Sequence, residues 1–124
     1  MTDQVHLQNW IDAYVRAWNS NQPDEIGNLF AEDGLYYTAP FRPPWRGRAA
    51  IVAGWLERKD EPGQTRFRWD PVIVTDDLYV VQGVTEYLTQ PPVTFSNLWL
   101  IRLDQHGQCL EFTEWWMEHP AQTA

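Results

Sequence analysis

The sequence predicts an α+β protein in which helices pack against one face of a curved sheet. Three observations carry this. Apolar residues recur at helical spacing in the N-terminal half, long runs rich in β-branched and aromatic residues fill the C-terminal half, and the connections between those runs are short. Short connections make antiparallel hairpins. Helices that precede strands, instead of alternating with them, exclude a doubly wound α/β arrangement.

Leu7, Ile11, Tyr14, Val15 and Trp18 share one face of a first helix, which Asn19, Ser20 and Asn21 end. Pro23 suits a helix start, and Asp24 and Glu25 suit the positive end of its dipole, so Ile26, Leu29 and Phe30 form the inner stripe of a short second helix. Gly34 turns the chain, residues 35–38 read as a short strand, and Pro40, Pro43 and Pro44 exclude regular structure from the loop that follows. Gly47 opens a third helix carrying Ile51, Val52, Trp55 and Leu56, with Arg58 and Lys59 near its C-terminus. Beyond Glu61, Pro62 and Gly63, strands are expected over 65–75, 78–90, 93–103 and 108–118. Residues 121–124 are expected to fray.

A chain of 124 residues suits one domain, 1–124, that buries roughly two-thirds of its unfolded surface. The single Cys109 cannot form an intramolecular disulfide and reads as a small packed residue, which suits a reducing cytoplasm. No apolar run approaches the about 18 residues of a membrane span, and MTDQVHLQNW lacks the basic and apolar regions of a signal peptide, so a soluble, cytoplasmic protein with no membrane partner is expected. A net charge of −8 opposes attraction to phosphate backbones, and no nucleic-acid partner is expected. Arg42, Arg46 and Arg48 around Trp45 either guide an anionic ligand to a cavity mouth or belong to a solvated loop. His6, His106 and His119 lack close metal-ligand spacing, so neither a metal nor another cofactor is expected.

Eight tryptophans, five tyrosines and five phenylalanines each need a surface to lie against, which implies a large aromatic core or an aromatic-lined pocket. A sheet with such rings on both faces exceeds what three helices can cover, so a homodimer through the outer face is expected. Glu86 alternates with Val84 and Leu88, and Glu114 with Phe112 and Trp116, so each acid sits on a strand face that is otherwise apolar. Burial and a neighbouring carboxylate both raise a carboxyl pKa, which lets one acid donate while the other accepts near neutral pH. The other reading turns one or both faces to solvent or to a dimer partner, where Glu86 pairs with Arg66, Arg68 or Arg102.

FAEDGLYY, the proline-containing loop, RGRAAIVAGW and a final HGQCLEFTEWW, in this order, resemble the nuclear transport factor 2-like superfamily, in particular its SnoaL-like branch, over nearly the whole chain. The resemblance implies a cystatin-like cone, in which three N-terminal helices close the concave face of a strongly curved antiparallel or mixed sheet around a hydrophobic ligand pocket. It specifies activity poorly, because the same fold serves isomerases, cyclases, dehydratases, epoxide hydrolases and non-catalytic adaptors. Compared with the family's ketosteroid isomerases, Tyr14 matches the tyrosine of helix one, but Thr38 and Trp99 stand where the two aspartates belong, so that mechanism cannot operate. Compared with limonene-epoxide-type hydrolases, Tyr36 matches the tyrosine, Thr38 stands for the asparagine, Glu86 for the acid and Glu114 for the base. Val84 replaces the arginine that bridges the acids there, and both glutamates are one methylene longer than the family's aspartates.

What the resemblance implies is cofactor-independent acid–base chemistry, of epoxide hydrolase, isomerase or cyclase type, on a small, mostly apolar molecule. Glu114 is then the base and Glu86 the acid. Tyr36 and Thr38 hold a water or a ligand oxygen, and Tyr14, Trp18, Trp55 and Trp99 shape the walls. The alternative left open is a non-catalytic small-ligand binder or dimerisation module.

Overall fold

A computed structural model describes residues 2–120, with side chains from Gln4 onward; the expected fraying of 121–124 lies outside them. The first stripe forms α1 (Thr2–Ser20), which buries Leu7, Trp10, Ile11, Tyr14 and Ala17 at steps of three and four residues. Pro23 opens α2 (Pro23–Gly27), with Asp24 and Glu25 in its first turn. This helix is shorter than its stripe predicts. Phe30 begins β1 (Phe30–Tyr37) instead, because Leu29 and Phe30 are drawn into pairing with Cys109: the Cys109 N–H donates to the Leu29 carbonyl at 2.8 Å. A single extra helical turn has little cooperative stability to set against a strand ladder.

The two-residue β2 (Trp45–Arg46) follows the proline loop and leads into α3 (Arg48–Glu57). Four long strands complete the chain, β3 (Thr65–Val74), β4 (Tyr79–Tyr87), β5 (Val93–Leu103) and β6 (Cys109–Glu118). Successive members of this set pair antiparallel, as their short connections require. Pairing of β1 with β6 is parallel and with β2 antiparallel, which gives one mixed sheet in the order β2-β1-β6-β5-β4-β3.

The expected cone is not formed. The sheet is open and not strongly curled, with β2 at one edge and β3 at the other. Closing a sheet on itself needs two edges that can pair along their length, and the β2 edge offers only two residues. The interior is supplied by layering. Tyr79, Val81, Trp99, Ile101 and Phe112 on one sheet face form a single buried cluster with Leu7, Trp10, Ile11 and Tyr14 of α1 and Ile51 and Trp55 of α3.

Two glycines make room for this layering. At Gly83 on β4 a Cβ would lie 2.6 Å from the Phe67 ring, so the missing side chain is the slot through which Phe67 of β3 crosses to stack on Trp99 at 4.7 Å. At Gly54 on α3 a Cβ would lie 2.4 Å from the Trp45 ring, which stacks on Tyr36 at 4.9 Å. The Gly83→Ala variant is therefore expected to lose about 1–3 kcal/mol of stability by overpacking. Urea unfolding followed by near-ultraviolet circular dichroism tests this, and an unchanged midpoint with an intact aromatic signal would contradict the contact.

Candidate active site

Between α1, the end of α3 and the inner face of β4, β5 and β6 lies a cavity of about 460 Å³. Nine aromatic residues share its wall with eight polar or charged ones, and three of the polar residues are joined by hydrogen bonds. Period-two alternation brings Thr85, Asn97 and Glu114 to the inner face on three neighbouring strands. Thr85 Oγ1 donates to Asn97 Oδ1 at 2.7 Å, and Asn97 Nδ2 donates to Glu114 Oε2 at 2.7 Å. The Trp99 indole N–H reaches the same oxygen at 3.3 Å. Because the threonine hydroxyl donates to the amide oxygen, the Asn97 amide can turn only its NH₂ toward the glutamate.

Both bonds fall on Oε2. Among the described residues no donor is recorded at Oε1, and no buried side-chain oxygen lacks a partner, so Oε1 opens into the cavity that Glu114 lines. Burial among the rings is the largest influence on this carboxyl and raises it from 4.5 to about 7; the Trp99 and Asn97 hydrogen bonds pull it down, and the negative charge of Asp60 pushes it up. Glu114 can therefore give or take a proton near neutral pH.

Across the cavity, the hydroxyls of Tyr14 and Tyr36 lie 2.8 Å apart. Burial, followed by the partner hydroxyl for Tyr14 and the Glu114 charge for Tyr36, raises both far above the ordinary tyrosine value. Both keep their protons. One is used in the shared bond, and the other remains for an oxygen in the cavity.

Of the residues singled out in the sequence, Tyr14, Trp18, Tyr36, Thr38, Trp55, Trp99 and Glu114 line this cavity. Glu86 does not. It occupies the opposite face of β4, where Arg68 lies 3.9 Å away and its side chain is 43% exposed. The predicted acid is thus one residue out of register: on a strand, odd and even positions face opposite ways, and the inner set here is Tyr79, Val81, Gly83, Thr85 and Tyr87. Val84 shares the outer face, so an arginine at that position would not bridge to Glu114 either. Arg42, Arg46 and Arg48 do not line the cavity; Arg48 donates to the Phe30 carbonyl through Nε and Nη2 at 3.1 and 2.9 Å, and Arg42 sits over the Phe41 ring. Cys109 is fully buried, and burial raises its thiol far above the range of a nucleophile.

Among the polar wall residues that the sequence did not single out are Asn97, Thr85 and Asp60. Asn97, between Phe95 and Trp99 on one face of β5, gave a usable signal, since a polar side chain between aromatic ones is the same anomaly that singles out Glu114, whereas the mixed faces of β4 hid Thr85. Asp60 gave none. It lies in the loop after α3, and its carboxylate is defined by distant partners: Trp18 Nε1 donates to Oδ2 at 2.9 Å and the Tyr87 hydroxyl donates to the same oxygen at 3.2 Å.

Comparison with known proteins bears on the architecture. No curated protein matches the sequence. Among solved structures, one described under "Intriguing role of epoxide hydrolase/cyclase-like enzyme SalBIII in pyran ring formation in polyether salinomycin" superposes with a TM-score of 0.74 over 94% of this chain and 95% of that chain, at 17% identity. At that identity the likeness shows a shared fold and no more. Residues 11–112 match the sequence profile of the SnoaL-like domain, and with the fold in agreement the chain belongs to the SnoaL-like family of the nuclear transport factor 2-like superfamily.

Proposed function

We propose that the cavity is the active site of a cofactor-independent enzyme that moves a proton through Glu114 on a small, mostly apolar substrate. One observation carries this reading: a carboxyl pinned through Oε2 by Asn97 and Trp99, with Oε1 open to the cavity and burial raising it to about 7. A group so placed is costly unless used. The tyrosine pair supplies the complementary function, since a hydroxyl proton directed at a substrate oxygen stabilises negative charge developing there. Ring opening of a small cyclic epoxide fits these parts. Glu114 takes the proton of the attacking water or hydroxyl as the epoxide C–O bond breaks, the Tyr14–Tyr36 pair hydrogen-bonds the departing oxygen without losing its own proton, and the proton held by Glu114 then passes to that oxygen, which gives the neutral alcohol and restores the carboxylate. The solved structure described as epoxide hydrolase/cyclase-like agrees with this choice of first substrates. Isomerisation and cyclisation by the same proton transfer come next.

Ligand binding without turnover is the second reading. It is favoured by the position of Glu86, which removes from the cavity the acid that a two-glutamate mechanism needs.

We further propose a homodimer through the outer sheet face. Leu98 lies beside Trp115 and Val80 beside Leu100 in the strand register, Trp115 is half exposed and Met117 largely so, and among the described residues the helices pack on the other face. Light scattering at micromolar concentration is expected to give twice the chain mass, and Trp115→Glu to give the monomer mass.

Glu114→Gln should lower turnover of a responsive epoxide by about 10²–10⁴-fold while leaving its binding intact, because the amide keeps the shape and cannot take the proton. Unchanged turnover would reject Glu114 as the proton carrier. Stability provides a check that needs no substrate. The folded state binds the Glu114 proton more tightly than the unfolded chain does, so the stability this contributes is present below the unfolded value and is lost as pH rises through about 7. Relative to wild type, Glu114→Gln should gain unfolding free energy between about pH 5 and pH 8, as followed by urea titration. A difference independent of pH would show that the carboxyl is not perturbed.

A further inference from the structure

The cavity wall has an asymmetry of charge that its aromatic composition conceals. Two carboxylates, Asp60 and Glu114, stand among the rings, and each is held in the same manner. One oxygen of each accepts an indole N–H and a second donor: Trp18 and the Tyr87 hydroxyl at Asp60 Oδ2, Trp99 and Asn97 at Glu114 Oε2. Among the described residues no donor is recorded at the remaining oxygen of either group, and no buried side-chain oxygen lacks a partner, so both remaining oxygens are open to an occupant. Both can only accept from it when ionised.

The two carboxylates are joined by a chain of packed rings, of which Tyr14 and Trp99 are nearly covered. Trp18, bonded to Asp60, meets Tyr14 edge-on at 6.0 Å, and Tyr14 meets Trp99, bonded to Glu114, at 4.7 Å. Indole and phenol faces attract cations through their quadrupoles, and the attraction strengthens where water is excluded. The cations at this site, Arg58 and Lys59, are exposed at the end of α3, and neither is within ion-pair distance of Asp60 or Glu114 among the described residues. Glu118 stands at the same rim. The Arg58 charge reaches inward far enough to lower Tyr36, but burial and the Glu114 charge are larger influences there, and as an exposed group Arg58 is screened by solvent.

Resting on the reading of the cavity as a ligand site, we propose that its preferred occupant is a small organic ammonium ion: a protonated amine carried on a flat apolar body. The body lies against the less covered rings of the wall, Trp18, Tyr87 and Phe95, and the ammonium N–H groups donate to an open carboxylate oxygen. A net charge of −8 adds long-range attraction for such a ligand. An anionic ligand would instead bring its charge against two carboxylates, with only exposed Arg58 and Lys59 to offset them.

Calorimetric titration with three probes of nearly one shape tests this: benzylammonium, benzyl alcohol and benzoate, at about pH 8, where the amine is charged. Benzylammonium is expected to bind about tenfold more tightly than benzyl alcohol, and benzoate most weakly. Asp60→Asn and Glu114→Gln should each reduce the preference for ammonium over alcohol by about threefold or more. Having two variants, each checked for folding by circular dichroism, keeps the test decisive if one of them misfolds. Benzoate binding as tightly as the amine, or a preference unchanged in the folded variants, overturns the proposal. Equal binding of all three probes rejects the cation preference and leaves the cavity as a ligand site, whereas no binding by any of them rejects both.

Discussion

The indole of Trp99, 1% exposed, stacks on Phe67 of β3 at 4.7 Å and 15°, meets Tyr14 of α1 at 4.7 Å and Phe112 of β6 at 5.2 Å, and sends its N–H to Glu114. Much of the molecule is arranged to permit this one placement. Gly83 omits a side chain so that Phe67 can reach it. Helix α1 presents Tyr14 toward the centre of β5 so that the layers close over it. An indole buried this deeply needs an acceptor for its single donor, and meeting that need places a carboxylate in an aromatic wall. Packing and chemistry thus share an atom: the contact that locks the core also orients the group most able to react.

How much of this was legible in the sequence follows from the range of each interaction. The helical stripe of α1 and the runs of β3 to β6 are local patterns, and their bounds agree with the structure to within a few residues. The parity of β4 was not legible. Its two faces read Tyr79, Val81, Gly83, Thr85 and Val80, Gln82, Val84, Glu86, each part apolar and part polar, so nothing local says which one is inward. Only pairing with β5, whose Asn97, Trp99 and Ile101 are buried, decides it, and that decision carries Glu86 to the outer face. On β6 the sequence leaves the orientation of Glu114 open in the same way, and pairing with β5, where Trp99 lies opposite Glu114, decides it. Asp60 shows the limit most clearly: its partners lie 42 and 27 residues away, and no window of sequence contains them. The cone failed for a related reason, since closure depends on the edge that β2 offers to a distant strand.

The cavity also explains a tension within the fold. An apolar residue at position 114 would fill space and remove a buried charge, and leucine there would suit the surrounding rings better than glutamate does. Instead the structure retains the acid and devotes Thr85 and Asn97, the two buried polar residues of the sheet interior, to holding it. A fully connected polar chain of this kind restricts the acid to one rotamer, and restriction is what proton transfer to a bound molecule requires.

Because the sheet does not close, the chain must guard against self-association at two free borders. Unpaired strand edges recruit other chains into extended ladders, the route by which soluble proteins become fibrils. At one border β2 is only two residues long, too short to template anything. The other is ten residues of β3, and it carries the deterrents: Arg66 and Arg68 point their charges outward, Pro71 withholds a donor, and the register shifts between Pro71 and Ile73. Resistance to edge-to-edge pairing is therefore carried by the same strand that sends Phe67 inward to stack on Trp99.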